Sequence, residues 1–152
     1  MILLNEMEQR LAKAVATARH KSNRKNNVKN SRVGNQSDYQ TDLEGIGGEI
    51  AFCKTQNVYP DLSIEPRRSE DDNGDAIVNG LRFDVKTTKH SSGHLLVVPW
   101  KKDSADVYAL MVGEFPSYRF AGTMPAEELC QENRLKDFGY GPSYAASQEE
   151  LH

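Results

Sequence analysis

The amino-acid sequence predicts an α/β domain in which helices flank a mixed central β-sheet. Three observations carry that expectation: two segments with helical apolar periodicity in the first third of the chain, a strong hairpin signal at Asn79-Gly80, and further strand-like apolar runs before a last short helix. At 152 residues the chain fits one domain, residues 1–152. A hydrophobic content of 38% beside 27% charged residues leaves enough apolar runs for a modest core, which argues against wholesale disorder.

Residues 2–20 read as an amphipathic helix, because Leu4, Met7, Leu11, Ala14, Val15 and Ala18 recur at spacings of three and four. A basic loop or arm is expected over 19–37: Arg19, Lys21, Arg24, Lys25, Lys29 and Arg32 follow one another, with His20 among them and no acid before Asp38. A second helix is expected to start at Asp38 or Thr41 and run to Asn57, carrying Leu43, Ile46, Ile50 and Phe52, with Glu49 inside it. Leu62 to Ile64, between Pro60 and Pro66, read as a first strand or its approach. Ala76-Ile77-Val78, Asn79-Gly80 and Leu81 to Lys86 read as a hairpin, since Asn-Gly favours the type I′ turn. Strands follow at His94–Val98, Val107–Gly113 and Tyr118–Thr123, and Pro125 opens a helix through Glu127, Leu129 and Cys130. The Gly- and Tyr-rich tail from Phe138 is expected to close on a short turn from Ser147.

The chemistry is expected on the hairpin. A two-residue turn pairs Val78 with Leu81, Ile77 with Arg82, Ala76 with Phe83 and Asp75 with Asp84. Side chains alternate along a strand, so Leu81, Phe83 and Val85 face the core, while Asp75, Asp84 and Lys86 share the other face. Two carboxylates directly opposite one another repel, and a shared divalent cation resolves the conflict. Hard oxygen ligands suit Mg²⁺ or Mn²⁺, which activates water and stabilises charge developing on a phosphoryl group. Lys86 would position or deprotonate that water, or stabilise the transition state. The bland alternative is an exposed charged hairpin without a metal.

Asp75, a gap of eight residues, then Asp84-Val85-Lys86 resembles the pattern of the PD-(D/E)XK nuclease superfamily, and Gly45 to Phe52 resembles the helix that precedes the motif there. The superfamily's proline before the first aspartate is absent, Gly74 standing in its place. The resemblance spans about residues 41–123 and is to small bacteriophage nucleases. It implies a restriction-endonuclease-like core, with Asp75, Asp84 and Glu49 as metal ligands and Lys86 as the catalytic lysine. The expected activity is Mg²⁺- or Mn²⁺-dependent endonucleolytic hydrolysis of DNA, single-stranded, nicked or branched. The alternatives are a catalytically silent nucleic-acid-binding or inhibitory module on the same fold and a hydrolase of small phosphoesters. A homodimer would suit cleavage of both strands.

A net charge of −3 does not mark the whole chain as a nucleic-acid binder, so that expectation rests on local charge: Arg24, Lys25, Lys29 and Arg32 in the arm, and Lys89 and His90 just past the motif. His90 and His94 flank a Ser-Ser-Gly turn, which removes helical zinc-ligand spacing. Gly45, Gly47 and Gly48 lack a following Gly-Lys-Ser/Thr and are expected to let a helix approach the sheet rather than hold phosphate. Trp100, between Pro99 and two lysines, is expected to be a half-buried packing aromatic, with base stacking as the alternative. Cys53 and Cys130 are too few for a disulfide scaffold and are expected as reduced, mostly buried thiols. With no long apolar run and no signal-peptide pattern, the expected location is cytoplasmic, in the host cell if the chain is phage-encoded.

Overall fold

The computed structural model describes residues 1–25, 38–64 and 74–152, without the side chains of 23–25 and 38. The chain runs β1 (Ile2–Leu3), α1 (Glu6–Lys25), α2 (Asp38–Gln56), β2 (Ala76–Val78), β3 (Leu81–Thr88), β4 (Leu95–Val97), β5 (Val107–Glu114), β6 (Ser117–Pro125), α3 (Ala126–Leu129), β7 (Leu135–Asp137) and β8 (Pro142–Ala146). The architecture is mixed α/β. A five-stranded sheet has the order β1-β6-β5-β3-β2, parallel between β3 and β5 and antiparallel elsewhere, and a small antiparallel sheet has the order β4-β8-β7.

The two faces of the large sheet bury separate cores. On one, α1 and α2 pack Val15, Ala16, Ile46, Ile50 and Phe52 against Val85, Ala109 and Met111. On the other, the small sheet and α3 pack Leu95, Val97, Leu129 and Tyr144 against Tyr108, Leu110 and Val112. Two helical glycines make the first layer possible. A methyl group on Gly48 would collide with Thr87 of β3, and one on Gly47 with the Tyr118 phenol and the Phe115 ring. Gly45 meets nothing within 4 Å, so of the three expected packing glycines only two have that role.

The first helix does not cover 2–20. Asn5 caps it: the Asn5 side chain accepts the Glu8 N–H at 2.8 Å while the Glu8 carboxylate accepts the Asn5 N–H at 2.7 Å, so the helix starts at Glu6. Ile2 and Leu3 instead pair with Tyr118 and Ser117. At its other end the helix extends through Arg19, His20 and Lys21 to Lys25, which removes the first part of the expected arm at 19–37. Residues 26–37 lie outside the described residues. The buried face of α1 is Ala12, Val15 and Ala16; Met7 and Leu11 of the expected stripe are exposed. Leu62 to Ile64 form no strand; the carbonyls of Asp61 and Ser63 in that stretch accept the Arg19 guanidinium. No helix among the described residues is long and apolar enough to cross a membrane.

Candidate active site on the Asn-Gly hairpin

Asn79 and Gly80 both have positive φ, 52° and 79°, as a type I′ turn requires, and the register is Ala76 to Phe83, Ile77 to Arg82 and Val78 to Leu81. That register is the one a two-residue turn dictates. It fixes the alternation along β3: Phe83 rests on Phe52 of α2 and Val85 enters the helix-side core. Asp84 and Lys86 therefore emerge on the opposite face, in register with Tyr108 and Leu110 of the second core.

There the Lys86 ammonium lies 3.1 Å from Asp84 Oδ1 and donates to Oδ2 at 3.3 Å, and the Ser104 hydroxyl donates to Oδ2 at 3.4 Å. Burial pushes the Asp84 carboxyl above its ordinary range, and Asp75 adds to the rise; Lys86 and Lys101 oppose it without cancelling it. Tyr108 braces the floor. Its hydroxyl donates to the Lys101 carbonyl at 2.8 Å, and burial raises the phenol to about 12, which keeps that donor protonated.

Asp75 reaches the site differently from the expected shared face. Its backbone N–H donates to the Phe83 carbonyl at 2.7 Å, and its carboxylate accepts the Val85 N–H at 2.8 Å. A side-chain oxygen thus substitutes for a strand carbonyl at the open end of β2, just after Gly74 turns at φ 70°. The carboxylate sits at the sheet edge, where its charge is felt by Asp84 on one face and by Cys53 on the other. Burial, with Glu49, Asp75 and Asp61 nearby, raises the Cys53 thiol to about 12, so it is an inert core thiol.

Among the described residues Glu49 does not join Asp75 and Asp84 in a group able to hold a metal ion. It lies on α2, on the helix side of the sheet, and its carboxylate pairs with Arg19 at 3.2 Å. Arg19 in turn donates to the carbonyls of Asp61 at 2.7 Å and Ser63 at 2.9 Å, so it clasps two elements and is not presented to a phosphate. Lys89 and His90 are exposed in the turn after β3. Lys29 and Arg32 lie outside the described residues, as do the side chains of Arg24 and Lys25. Trp100 is not half-buried: 77% of it is exposed. Of the two thiols Cys53 is buried and Cys130 is partly so.

Two neighbouring aspartates, Asp75 buried and Asp84 mostly so and paired with Lys86, offer hard oxygen ligands of the kind that suits a small cation completing its shell with water and phosphate oxygens. Among the described residues no group of three or more His, Cys, Asp or Glu side chains is placed to hold a metal ion. Sequence reasoning missed Ser104 and Tyr108, because they reach Asp84 only through the parallel β3–β5 pairing. It also missed Glu44, which accepts the Phe115 N–H at 2.9 Å and the Tyr118 hydroxyl at 3.2 Å and so ties α2 to the β5–β6 turn.

No curated protein and no solved structure matches the chain. Residues 1–129, which include Glu49, the hairpin and Trp100, match the model of a family of unknown function, DUF5843, and the chain belongs to that family.

Proposed function

We propose that the protein is a metal-dependent nuclease with a restriction-endonuclease-like core, hydrolysing phosphodiester bonds at Asp75, Asp84 and Lys86. The observation that carries this reading is the mostly buried Asp84 carboxylate, held against the Lys86 ammonium at 3.1 Å and repelled by a second aspartate across the hairpin. Two acids and an amine gathered at one end of a hairpin, with the carboxyl pushed above its ordinary range, are the kind of perturbed cluster that functional sites use.

Asp84 and Asp75 would hold Mg²⁺ or Mn²⁺, which supplies a more acidic water and charge neutralisation at the phosphoryl oxygens. Lys86 is kept in place by Asp84 and presents N–H donors to a phosphoryl oxygen as its negative charge grows. Ser104 fixes the orientation of Asp84 by donating to its Oδ2. The water oxygen forms the new bond to phosphorus and one ester oxygen leaves. The water's proton passes to solvent and the leaving alkoxide takes one back, giving a phosphomonoester and an alcohol. Glu49, engaged by Arg19, stands outside this machinery.

The test is incubation of the purified protein with plasmid and with single-stranded DNA in Mg²⁺ or Mn²⁺, beside Asp84→Ala and Lys86→Ala. Cleavage is expected, with a loss of at least about 100-fold in each variant. Cleavage that survives both changes belongs to another site or a contaminant. A catalytically silent nucleic-acid-binding module is the second reading, favoured by the capture of Glu49 by Arg19 and by the lack of a third acid beside Asp84 among the described residues. Binding without cleavage of any substrate would establish it.

A further inference from the structure

Next to Asp84 the chain makes a short 3-10 turn, Pro99–Lys101, that holds Trp100 out into solvent with exposed Lys101 and Lys102 beside it. An aromatic of this size leaves a large apolar face in water, and an isolated scaffold gains nothing from that. The turn is nevertheless tied down at every step. The N–H groups of Lys101, Lys102 and Ser104 donate to the carbonyls of Val98, Pro99 and Lys101 at 3.0, 3.3 and 3.0 Å, and the buried Tyr108 hydroxyl holds the Lys101 carbonyl. Ser104, at the end of the turn, reaches Asp84 itself, and the charge of Lys101 acts on the Asp84 carboxyl. The acid in the segment, Asp103, is felt by Cys130 and Tyr108.

We propose that residues 99–102 are a binding platform for single-stranded nucleic acid, with one base stacked on Trp100 and the flanking phosphates held by Lys101 and Lys102, leading the backbone to Asp84 and Lys86. The inference deepens the nuclease reading and, in placing the scissile phosphate, rests on it. Stacking on a free indole face requires a base that is not already sandwiched between its neighbours, which selects single strands, ends and unpaired nucleotides over intact duplex. The two lysines supply the backbone attraction that stacking alone lacks and make binding weaken with salt. A three-residue turn is too short to enter a groove as a recognition helix does.

Trp100 is the chain's single tryptophan, so intrinsic fluorescence reports on this position alone. The wild-type protein, with chelator present so that nothing is cut, is titrated with oligothymidylate, with oligouridylate, with a blunt duplex of equal length and with anionic phosphatidylserine vesicles. Quenching by either or both single strands, weaker with duplex and reduced by salt, is the expected result, and the two strands separate DNA from RNA. In anisotropy measurements with a labelled strand, Trp100→Ala is expected to weaken binding about tenfold and Trp100→Phe less. Unchanged emission with both oligonucleotides, or a response to vesicles alone, overturns the proposal. So does undiminished strand binding by Trp100→Ala with its fold intact by circular dichroism. Cleavage without quenching would sink the platform and leave the nuclease standing; quenching without cleavage on any substrate would do the reverse.

Discussion

On the helix face of the large sheet, β3 meets α2 through Phe83 on Phe52, Val85 in the core and Thr87 against Gly48. On the other face the same strand presents Asp84 and Lys86, an ion pair walled by Ser104 and Tyr108. Each face also has an Arg–Glu clasp, and the two differ in depth. Arg19–Glu49 is mostly buried, with side chains 19% and 14% exposed, whereas Glu150 of the Arg134–Glu150 pair is 43% exposed. The helix face is organised for stability, and charge there is satisfied by charge and carbonyls. The opposite face holds its Asp84–Lys86 pair against the cost of burial and a second aspartate, beside an exposed aromatic, an arrangement that lowers stability.

The comparison breaks first at Arg19. Replacing it with Met removes the Arg19 ion pair from the mostly buried Glu49 and a donor from two carbonyls, which should destabilise by about 3 kcal/mol. In a chain of this size that lowers Tm by about 10 °C. A drop below about 1 kcal/mol in urea unfolding would mean that the pair is no more than a surface contact. The companion change, Glu49→Gln, should lower stability and leave cleavage per folded molecule intact. A loss as deep as that of Asp84→Ala would return Glu49 to the metal ligands.

Packing tests the same face on a smaller scale. Gly48→Ala should cost about 1–3 kcal/mol, because the added methyl meets Thr87. Gly45→Ala, three residues away with open space around it, should stabilise by up to about 1 kcal/mol through helix propensity. The Thr87 hydroxyl is buried with no hydrogen-bond partner among the described residues, so Thr87→Ala should be tolerated and should reduce the penalty of Gly48→Ala in a double-mutant cycle. Equal effects at the two glycines would show that α2 can shift away from β3.

The site face should respond with the opposite sign. Asp84→Asn removes a charge that burial and Asp75 disfavour by more than Lys86 and Lys101 favour it, so the metal-free variant should melt above wild type. Mn²⁺ should raise the Tm of wild type and not that of the variant. Equal metal shifts in both would place any ion elsewhere.

The sequence made the hairpin legible because its signals are local: Asn79-Gly80 dictates the register, and the register dictates which of Asp84, Val85 and Lys86 share a face. Boundaries set by capping and by distant pairing were harder to read. Met7 and Leu11 continue an apolar period that α1 turns toward solvent, since the Asn5 cap and the contact with α2 choose Ala12, Val15 and Ala16 instead. Arg19 belongs by sequence to a run of cations, and only the fold brings Glu49 and the Asp61 and Ser63 carbonyls around it. Strand β8, with its Pro and small residues, becomes a strand by lying between β4 and β7, a pairing that no local pattern announces. Trp100 has the local setting of a packing residue, and only the turn that carries it, clear of both cores, leaves it exposed.

The smallest expected effect concerns the clasp on the exposed side. Glu150 accepts the Ser147 N–H at 3.0 Å and the Arg134 guanidinium at 2.9 Å, and these bonds, the backbone one foremost, hold its carboxyl down at about 2 against an ordinary 4.5. A depressed carboxyl contributes stability that is complete above the unfolded value and disappears as pH falls through the folded one. The advantage of wild type over Glu150→Gln should therefore be constant above pH 4.5 and shrink toward nothing near pH 2. Solvent and salt screen so exposed a pair, so the difference should be slight and should narrow further in high salt. Urea midpoints of the two proteins across that range measure it. A gap that does not change with pH would assign the clasp to neutral hydrogen bonding. A gap that closes in acid would mean that the tail, joined to β6 by reciprocal hydrogen bonds between His152 and Thr123, loosens on the side of the sheet that carries Asp84 while the buried Arg19–Glu49 clasp on the helix side still holds.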